Sequence, residues 1–348
     1  MQPTAELGTT AGPPSWLAAV LAAAAKDYAS DVHLRPGRPV WIRRGGDFSV
    51  WEEDEQPVSE DAVAAARRWI CPDSASTVRT VIAAGCRWRA LSFRAGAVLR
   101  RIEAEPPVFE QLGLPEVVRD FTKFSSGLVV VAGETGSGKS STIASLLAET
   151  AAMKQCHILT IEDPLEHVIP DGRSLVTQQE VPKECHEQAL EEALRADIDV
   201  VMLGESRLPA HFELCLTLAA TGHLVFTTIH ASDALEVCER IVSGTRASGR
   251  SMLSATLRAV LSQRLIPSRV NPRKRYCATE VMVVDSGIKA VLRPSKEDLS
   301  MLRPKIDGTP YSLLRSLAAL VRDGKISEEA AMAESPDPEE FEKILRAT

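Results

Sequence analysis

Hydrophobic and polar positions alternate in two different rhythms along the chain. Residues 14–30 hold a continuous apolar stretch, 16–25, and predict a helix that buries this stretch. Residues 31–34 and 40–43 alternate around the turn Arg35-Pro36-Gly37 and predict two short strands. A helix is predicted from Ser59, with Asp61 in its first turn, to Ile70. Residues 87–93 alternate basic and apolar side chains, and 95–102 follow more loosely, which predicts a hairpin. These elements make a small α+β domain over residues 1–105, closed by Pro106-Pro107. Residues 1–14, rich in Gly, Pro and Thr, are expected to lack fixed structure. Residues 106–118 read as a linker running into a helix near Phe121.

From Gly127 the apolar runs become continuous. Leu128-Val-Val-Val-Ala132 predicts a strand buried on both faces, followed by a Gly-rich turn and a helix over 140–152. Further strands are predicted over 157–161, 198–203 and 223–229, with helices over 187–196 and 209–220 between them. Strands alternating with helices predict a doubly wound, mostly parallel sheet in a second domain, residues 119–348. Beyond Ile241 the strand pattern thins and helices are expected to dominate.

Composition supports two cores. All five tryptophans fall within the first 88 of 348 residues. The balance of 47 acidic and 40 basic side chains leaves no net basic footprint for a nucleic-acid backbone. Seven cysteines, an odd number with no C-x-x-C pair, argue against a disulfide framework or a Cys₄ zinc site. The ten apolar residues 16–25 are too few to span a membrane, and no basic residue precedes them as in a signal peptide, so a cytoplasmic protein is expected.

The candidate chemistry begins at Gly133-Glu134-Thr135-Gly136-Ser137-Gly138-Lys139-Ser140, which fits G-x-x-x-x-G-K-[ST] between a strand and a helix. Glycines here let backbone N–H groups face phosphate oxygens, and the helix adds its positive end. Lys139 is placed to reach the β- and γ-phosphates, and Ser140 to ligate Mg²⁺. The stretch 199–205 reads as a strand ending in an acid, Glu205, which would hold Mg²⁺ or its water shell. Glu162, Asp163 and Glu166 crowd three carboxylates into five residues, which calls for a cation or solvent, and one of them is positioned to polarise a water. His223 and His230 bracket an apolar strand as candidate γ-phosphate sensors.

Four segments, in this order and spacing, resemble one family. Residues 133–141 resemble the Walker A of the type II/type IV secretion ATPases, 158–167 their Asp box, 193–207 their Walker B and 221–230 their His box. Residues 30–34 and 95–102 resemble the N-terminal domain of the PilT-like retraction ATPases of this family, and 316–327 their late helices. The stretch 287–293 is loosely similar to a segment associated with retraction, with Lys289 and Ala290 as departures. The chain also lacks the tetracysteine element of the assembly ATPases.

The resemblance implies a PAS-like N-terminal domain before a RecA-like P-loop ATPase domain, binding ATP and Mg²⁺. It implies Glu166 as general base, Glu205 as the metal-side acid, and Glu162 and Asp163 as supports of the metal and water network. His230 and Arg207 would relay the γ-phosphate state, while His223 and Ser141 join residues 133–140 in the nucleotide set. Arg89, Arg94 and Arg100 would be fingers that neutralise transition-state charge; a solvated hairpin face is the alternative for them. The implied protein is a hexameric, cytoplasmic ATPase, peripheral at the inner membrane, that powers type IV pilus retraction and twitching motility through a platform protein. The alternatives are a secretion, conjugation or pilus-assembly ATPase, a nucleic-acid translocase, or a non-hydrolysing ring member.

Overall fold

The computed structural model describes residues 12–44, 47–51, 56–71, 78–102, 105–246, 248–271, 274–294 and 298–347. The expectation for the first eleven residues lies outside them. The chain divides into two compact units, Met1–Ala104 and Glu105–Thr348.

In the first unit, α1 (Ser15–Lys26) leads into β1 (Asp31–Leu34), β2 (Trp41–Arg44) and β3 (Asp47–Val50). Helix α2 (Glu60–Ile70) then precedes β4 (Val78–Ala83), β5 (Cys86–Phe93) and β6 (Gly96–Ile102). Ser59 starts α2 by accepting the Ala62 N–H at 3.2 Å on its hydroxyl. The six strands form one antiparallel sheet in the order β3-β2-β1-β6-β5-β4. Alternation sorts the side chains. Val32, Ile42, Trp88, Ala90 and Leu99 pack with Leu17, Leu21 and Ile70 of the helices. The opposite parity carries a row of residues in register across the sheet: Thr80, Arg89, Arg100, Asp31, Arg43 and Phe48.

The second unit opens with two short helices, α3 (Phe109–Leu112) and α4 (Glu116–Arg119), inside the segment expected as a linker. Phe109 and Val118 are buried in this unit's core. Strand β7 (Gly127–Ala132) and helix α5 (Lys139–Met153) follow, then β8 (His157–Glu162), β9 (Leu175–Glu180) and α6 (His186–Ala193). Next come β10 (Val200–Leu203), α7 (Pro209–Ala220), β11 (Leu224–Ile229), α8 (Ala234–Ser243) and α9 (Gly249–Thr256). The last strands are β12 (Leu257–Pro267) and β13 (Arg275–Val283). Helices α10 (Ser286–Leu292), α11 (Arg303–Asp307), α12 (Leu313–Arg322), α13 (Glu328–Ala333) and α14 (Pro338–Arg346) close the chain.

The sheet order is β13-β12-β7-β11-β10-β8-β9, parallel except for β13 at one edge. The expected doubly wound, mostly parallel architecture is therefore present. Odd and even residues of the buried strands enter different cores: Val129, Val131 and Phe226 pack with Ile143 and Leu147 of α5, while Val130, Val201 and Val225 pack with Leu216 and Val237 on the other face. A further cluster joins Ile266 and Ala278 of the β12–β13 hairpin to Leu317 and Phe341 of the last helices.

The expectation that strands thin out beyond Ile241 is corrected. The 11-residue β12 and 9-residue β13 are the longest described strands. Their apolar runs are broken by Ser262, Gln263, Arg264, Thr279 and Glu280, polar residues that are buried or half-buried here but look solvent-facing in a sequence pattern.

Candidate nucleotide-binding site

The carboxyl ends of β7, β11, β10 and β8 lie side by side in the sheet. At the first of these ends, residues 133–138 form the loop into α5. Gly133 and Gly138 have φ of 146° and 90°, and a Cβ on Gly133 would meet the Gln263 carbonyl oxygen at 2.5 Å. Thr135 and Gly136 are exposed at the loop's crest, and Ser137 is buried beneath it. Lys139 is buried and folds back, its Nζ donating to the carbonyls of Gly133 and Glu134 at 2.8 Å each. Burial pushes its pKa down, opposed by the charges of Glu205, Glu166 and Glu134. Both distant acids thus act on the lysine of the loop.

At the ends of β10 and β11, Glu205 Oε1 lies 2.6 Å from Arg207 Nε and 2.9 Å from His230 Nε2. Burial works to raise the Glu205 pKa, but the Arg207 guanidinium beside it and the other nearby cations hold it below the usual range. Burial and then Lys139 push the His230 pKa down, so the ring is neutral at pH 7, with Nε2 2.9 Å from a Glu205 Oε1 that accepts no hydrogen bond from the described residues in this arrangement.

At the end of β8 the three acids separate. Glu162 is buried, and its Oε1 accepts from Thr160 Oγ1 at 2.7 Å and Gln178 Nε2 at 3.3 Å; burial pushes its pKa up. Asp163 is exposed and accepts from the Lys183 N–H at 3.2 Å. Glu166 is exposed, and the next residue, His167, meets Ser141 Oγ of α5 at 3.2 Å through Nε2. A small cavity beside them, lined by Ser140, Glu162, His167 and Met202, has room for about one water.

Strand direction separates His223 from this group. It precedes β11, its carbonyl accepts from Gly127 at the start of β7, and its ring Nδ1 lies 3.0 Å from the Leu218 carbonyl. Six strand residues carry the chain roughly 20 Å from there to the loop's edge. Within this chain His223 is not brought to the loop, contrary to its expected place in the nucleotide set. Arg89, Arg94 and Arg100 belong to the first unit. Arg94 sits exposed in the β5–β6 turn, Arg89 lies opposite Arg100 in register, and Arg100 Nε is held 2.7 Å from the buried Asp31 carboxylate.

Sequence reading missed Gln263, Thr160, Gln178 and His167. Nothing in the sequence pattern singles out Gln263, which sits among the polar residues Ser262 and Arg264.

The loop suits a polyphosphate. Its crest is open, its glycines take angles closed to other residues, and its lysine rests on carbonyls it can leave. No group of three or more His, Cys, Asp or Glu among the described residues forms a metal cage. Ser140, in the first turn of α5, and Glu205, beyond the end of β10, are oxygen-bearing side chains of the kind that bind Mg²⁺ beside substrate phosphates.

A parallel, doubly wound sheet with this loop at the end of a central strand defines a RecA-like P-loop fold. Residues 92–328 match the type II/IV secretion system protein family, and the chain belongs to that family. It is 36% identical to the type IV pilus retraction ATPase PilT of Pseudomonas aeruginosa over 343 residues, covering 92% of this chain and 98% of that protein. It is also 36% identical to a twitching motility protein of Neisseria gonorrhoeae, covering 73% of this chain and 71% of the other. Among solved structures, the pilus retraction motor PilT with bound ADP superposes with a TM-score of 0.84 at 32% identity, over 94% of this chain and 99% of that one. The resemblance read from the four motifs is borne out. No described helix is long and apolar enough to cross a membrane.

Proposed function

We propose that this chain is an ATPase that hydrolyses ATP as a hexameric ring to power type IV pilus retraction, acting in the cytoplasm against a platform protein of the inner membrane. The observation that carries the reading is the gathering of Lys139, Glu205, Arg207, His230 and Glu166 at neighbouring strand ends, in a chain similar over nearly its full length to a retraction ATPase.

Lys139 exchanges its two loop carbonyls for β- and γ-phosphate oxygens, while the N–H groups of the loop and of the first turn of α5 bind the remaining oxygens. Ser140 and Glu205 would hold Mg²⁺, which would supply neutralisation of phosphate charge when bound. Glu166, exposed and free to turn, accepts the proton of the attacking water. Glu162, buried and bonded to Thr160 and Gln178, keeps the β8 end in place rather than meeting the water. Arg207 and His230 hold Glu205 and register the γ-phosphate through it. Arg89, Arg94 and Arg100 are proposed to act at a nucleotide across a subunit boundary, with Asp31 fixing the direction of Arg100.

The test is steady-state ATP turnover of the purified ring with and without Glu166→Gln, alongside its mass in solution. The expected result is a fall of about 100-fold or more with unchanged mass. Cells lacking their own retraction ATPase should regain twitching with the unaltered chain and not with the variant. Turnover that survives Glu166→Gln would remove the general-base assignment, and an active ATPase that fails to restore twitching would remove retraction.

A further inference from the structure

Gln263 is a buried side chain that hydrogen-bonds the phosphate loop from outside both the loop and the neighbouring motifs. It lies on β12, is 2% exposed, and uses both ends of its amide. Nε2 donates to the Ser137 carbonyl at 2.6 Å, and Oε1 accepts from Thr142 Oγ1, in the first turn of α5, at 3.0 Å. The same strand supports the loop's other end, because its backbone oxygen at 263 leaves no space for a Cβ on Gly133.

A trans peptide points its C=O and the following N–H in opposite directions. With the Ser137 carbonyl tied down to the buried β12, the Gly138 N–H turns the other way, toward the open side where Thr135 and Gly136 are exposed. This peptide needs an external tie. Gly138 sits at a φ of 90°, and a glycine opposes rotation of the preceding peptide plane less than any other residue. The loop's own bonds hold different groups: the Ser137 N–H goes to the Glu134 carbonyl and the Thr142 N–H to the Gly138 carbonyl.

We propose that Gln263 is a positioning residue for phosphate binding: it locks the Ser137–Gly138 peptide so that the Gly138 N–H is aimed at a nucleotide phosphate. The proposal rests on the nucleotide reading of the loop.

Three variants of the full chain test it: Gln263→Met, which keeps the length and loses both bonds; Gln263→Glu, which keeps an acceptor for Thr142 but donates to Ser137 only when protonated; and Thr142→Val, which leaves the Ser137 tie intact. Affinity for a fluorescent ADP, KM and kcat for ATP, and the nucleotide-free melting temperature are measured for each. In Gln263→Met, ADP affinity should weaken and KM rise about tenfold, the scale of one hydrogen bond to a charged group, with kcat within about threefold. Thr142→Val should stay within about threefold of the parent in ADP affinity. Relative to the parent at the same pH, Gln263→Glu should bind ADP weakly near pH 8 and recover toward about pH 6 as the new carboxyl gains its proton; the ratio removes the titration of the phosphate itself, which falls near about pH 6.

A folded Gln263→Met with parental ADP affinity overturns the proposal, as does a Thr142→Val that weakens binding equally. If Gln263→Met does not fold, the pH response of Gln263→Glu decides, and the absence of recovery counts against the tie. Failure of the parent chain itself to bind ADP would instead overturn the nucleotide reading.

Discussion

Glu205 shows how one side chain's setting can be read from its neighbours. Arg207 and His230 both approach Oε1, so two groups crowd one corner of the carboxylate. Arg207 is more than half exposed, and an exposed ion pair adds little stability. Its use is orientation. His230 is neutral, and a small turn of its ring would let Nε2 donate one bond to this carboxylate, a role a glutamine side chain can fill. His230→Gln should therefore keep ATP turnover within about threefold, while His230→Ala should lower kcat about tenfold with little change in melting temperature, the scale of one lost hydrogen bond to a charged group. Steady-state kinetics on both variants checks this, and equal loss in the two would remove the donor role. The acids and the histidine at position 230 were legible in the sequence because each follows an apolar run at a strand end. Position 223 misled because a strand has two ends and only its direction in the sheet says which one faces the loop. Gln263 could not be assigned at all, since its partners lie more than a hundred residues away.

Elements are joined here by one buried acid. Glu280 of β13 is 1% exposed; it accepts the Ala234 N–H at the start of α8 at 2.9 Å and pairs with Arg303 of α11 at 2.8 Å. Arg303 also reaches Asp233, 2.7 Å away, whose carboxylate caps α8 by accepting the Glu236 N–H. Burial pushes the Glu280 pKa up and Arg303 opposes it. Removing the arginine leaves the acid buried without its counter-charge, so Arg303→Ala should destabilise the second unit by about 3 kcal/mol in urea unfolding, and Arg303→Met with Glu280→Gln should recover much of that loss. A cost below about 1 kcal/mol would mean that the cluster is not a joint. This hairpin is also where reading the elements from sequence failed. Residues 128–132 and 224–229 are apolar throughout and declared themselves as strands. In β12 and β13 the polar residues that tie the loop and the helices together interrupt the very pattern by which a buried strand is recognised.

For the molecule as a whole, the histidines set the response to acid. His33, His186, His211 and His230 all have pKa values held below the ordinary 6.5, with burial the leading cause in each. The unfolded chain therefore binds protons that the folded chain refuses. Their contribution to stability is complete above about pH 6.5 and is lost as pH falls below it. His186 and His211 are the most enclosed, with ring centroids 5.7 Å apart and Asp163, Lys183, Glu184 and Glu187 as the charges around them. Glu162 and Glu280, whose pKa values are raised by burial, act in the opposite sense as pH falls through those raised values. The histidine part is therefore read from a difference: urea unfolding at about pH 7.5 and about pH 5.5 should show a smaller loss for His186→Asn than for the parent chain. An identical loss in both would place the acid sensitivity elsewhere.

The open face of the first unit has a consequence for how its strands can assemble at all. Because side chains alternate with a period of two, sliding β6 by one residue against β1 would send the Arg100 guanidinium among Leu17, Val32 and Trp88 and put Leu99 opposite the Asp31 carboxylate. The ion pair thus works as a key that admits one alignment of β6 on β1. Only the matched setting satisfies the carboxylate and the hydrophobic layer together, and a shifted β1–β6 pair carries a penalty that the matched one does not.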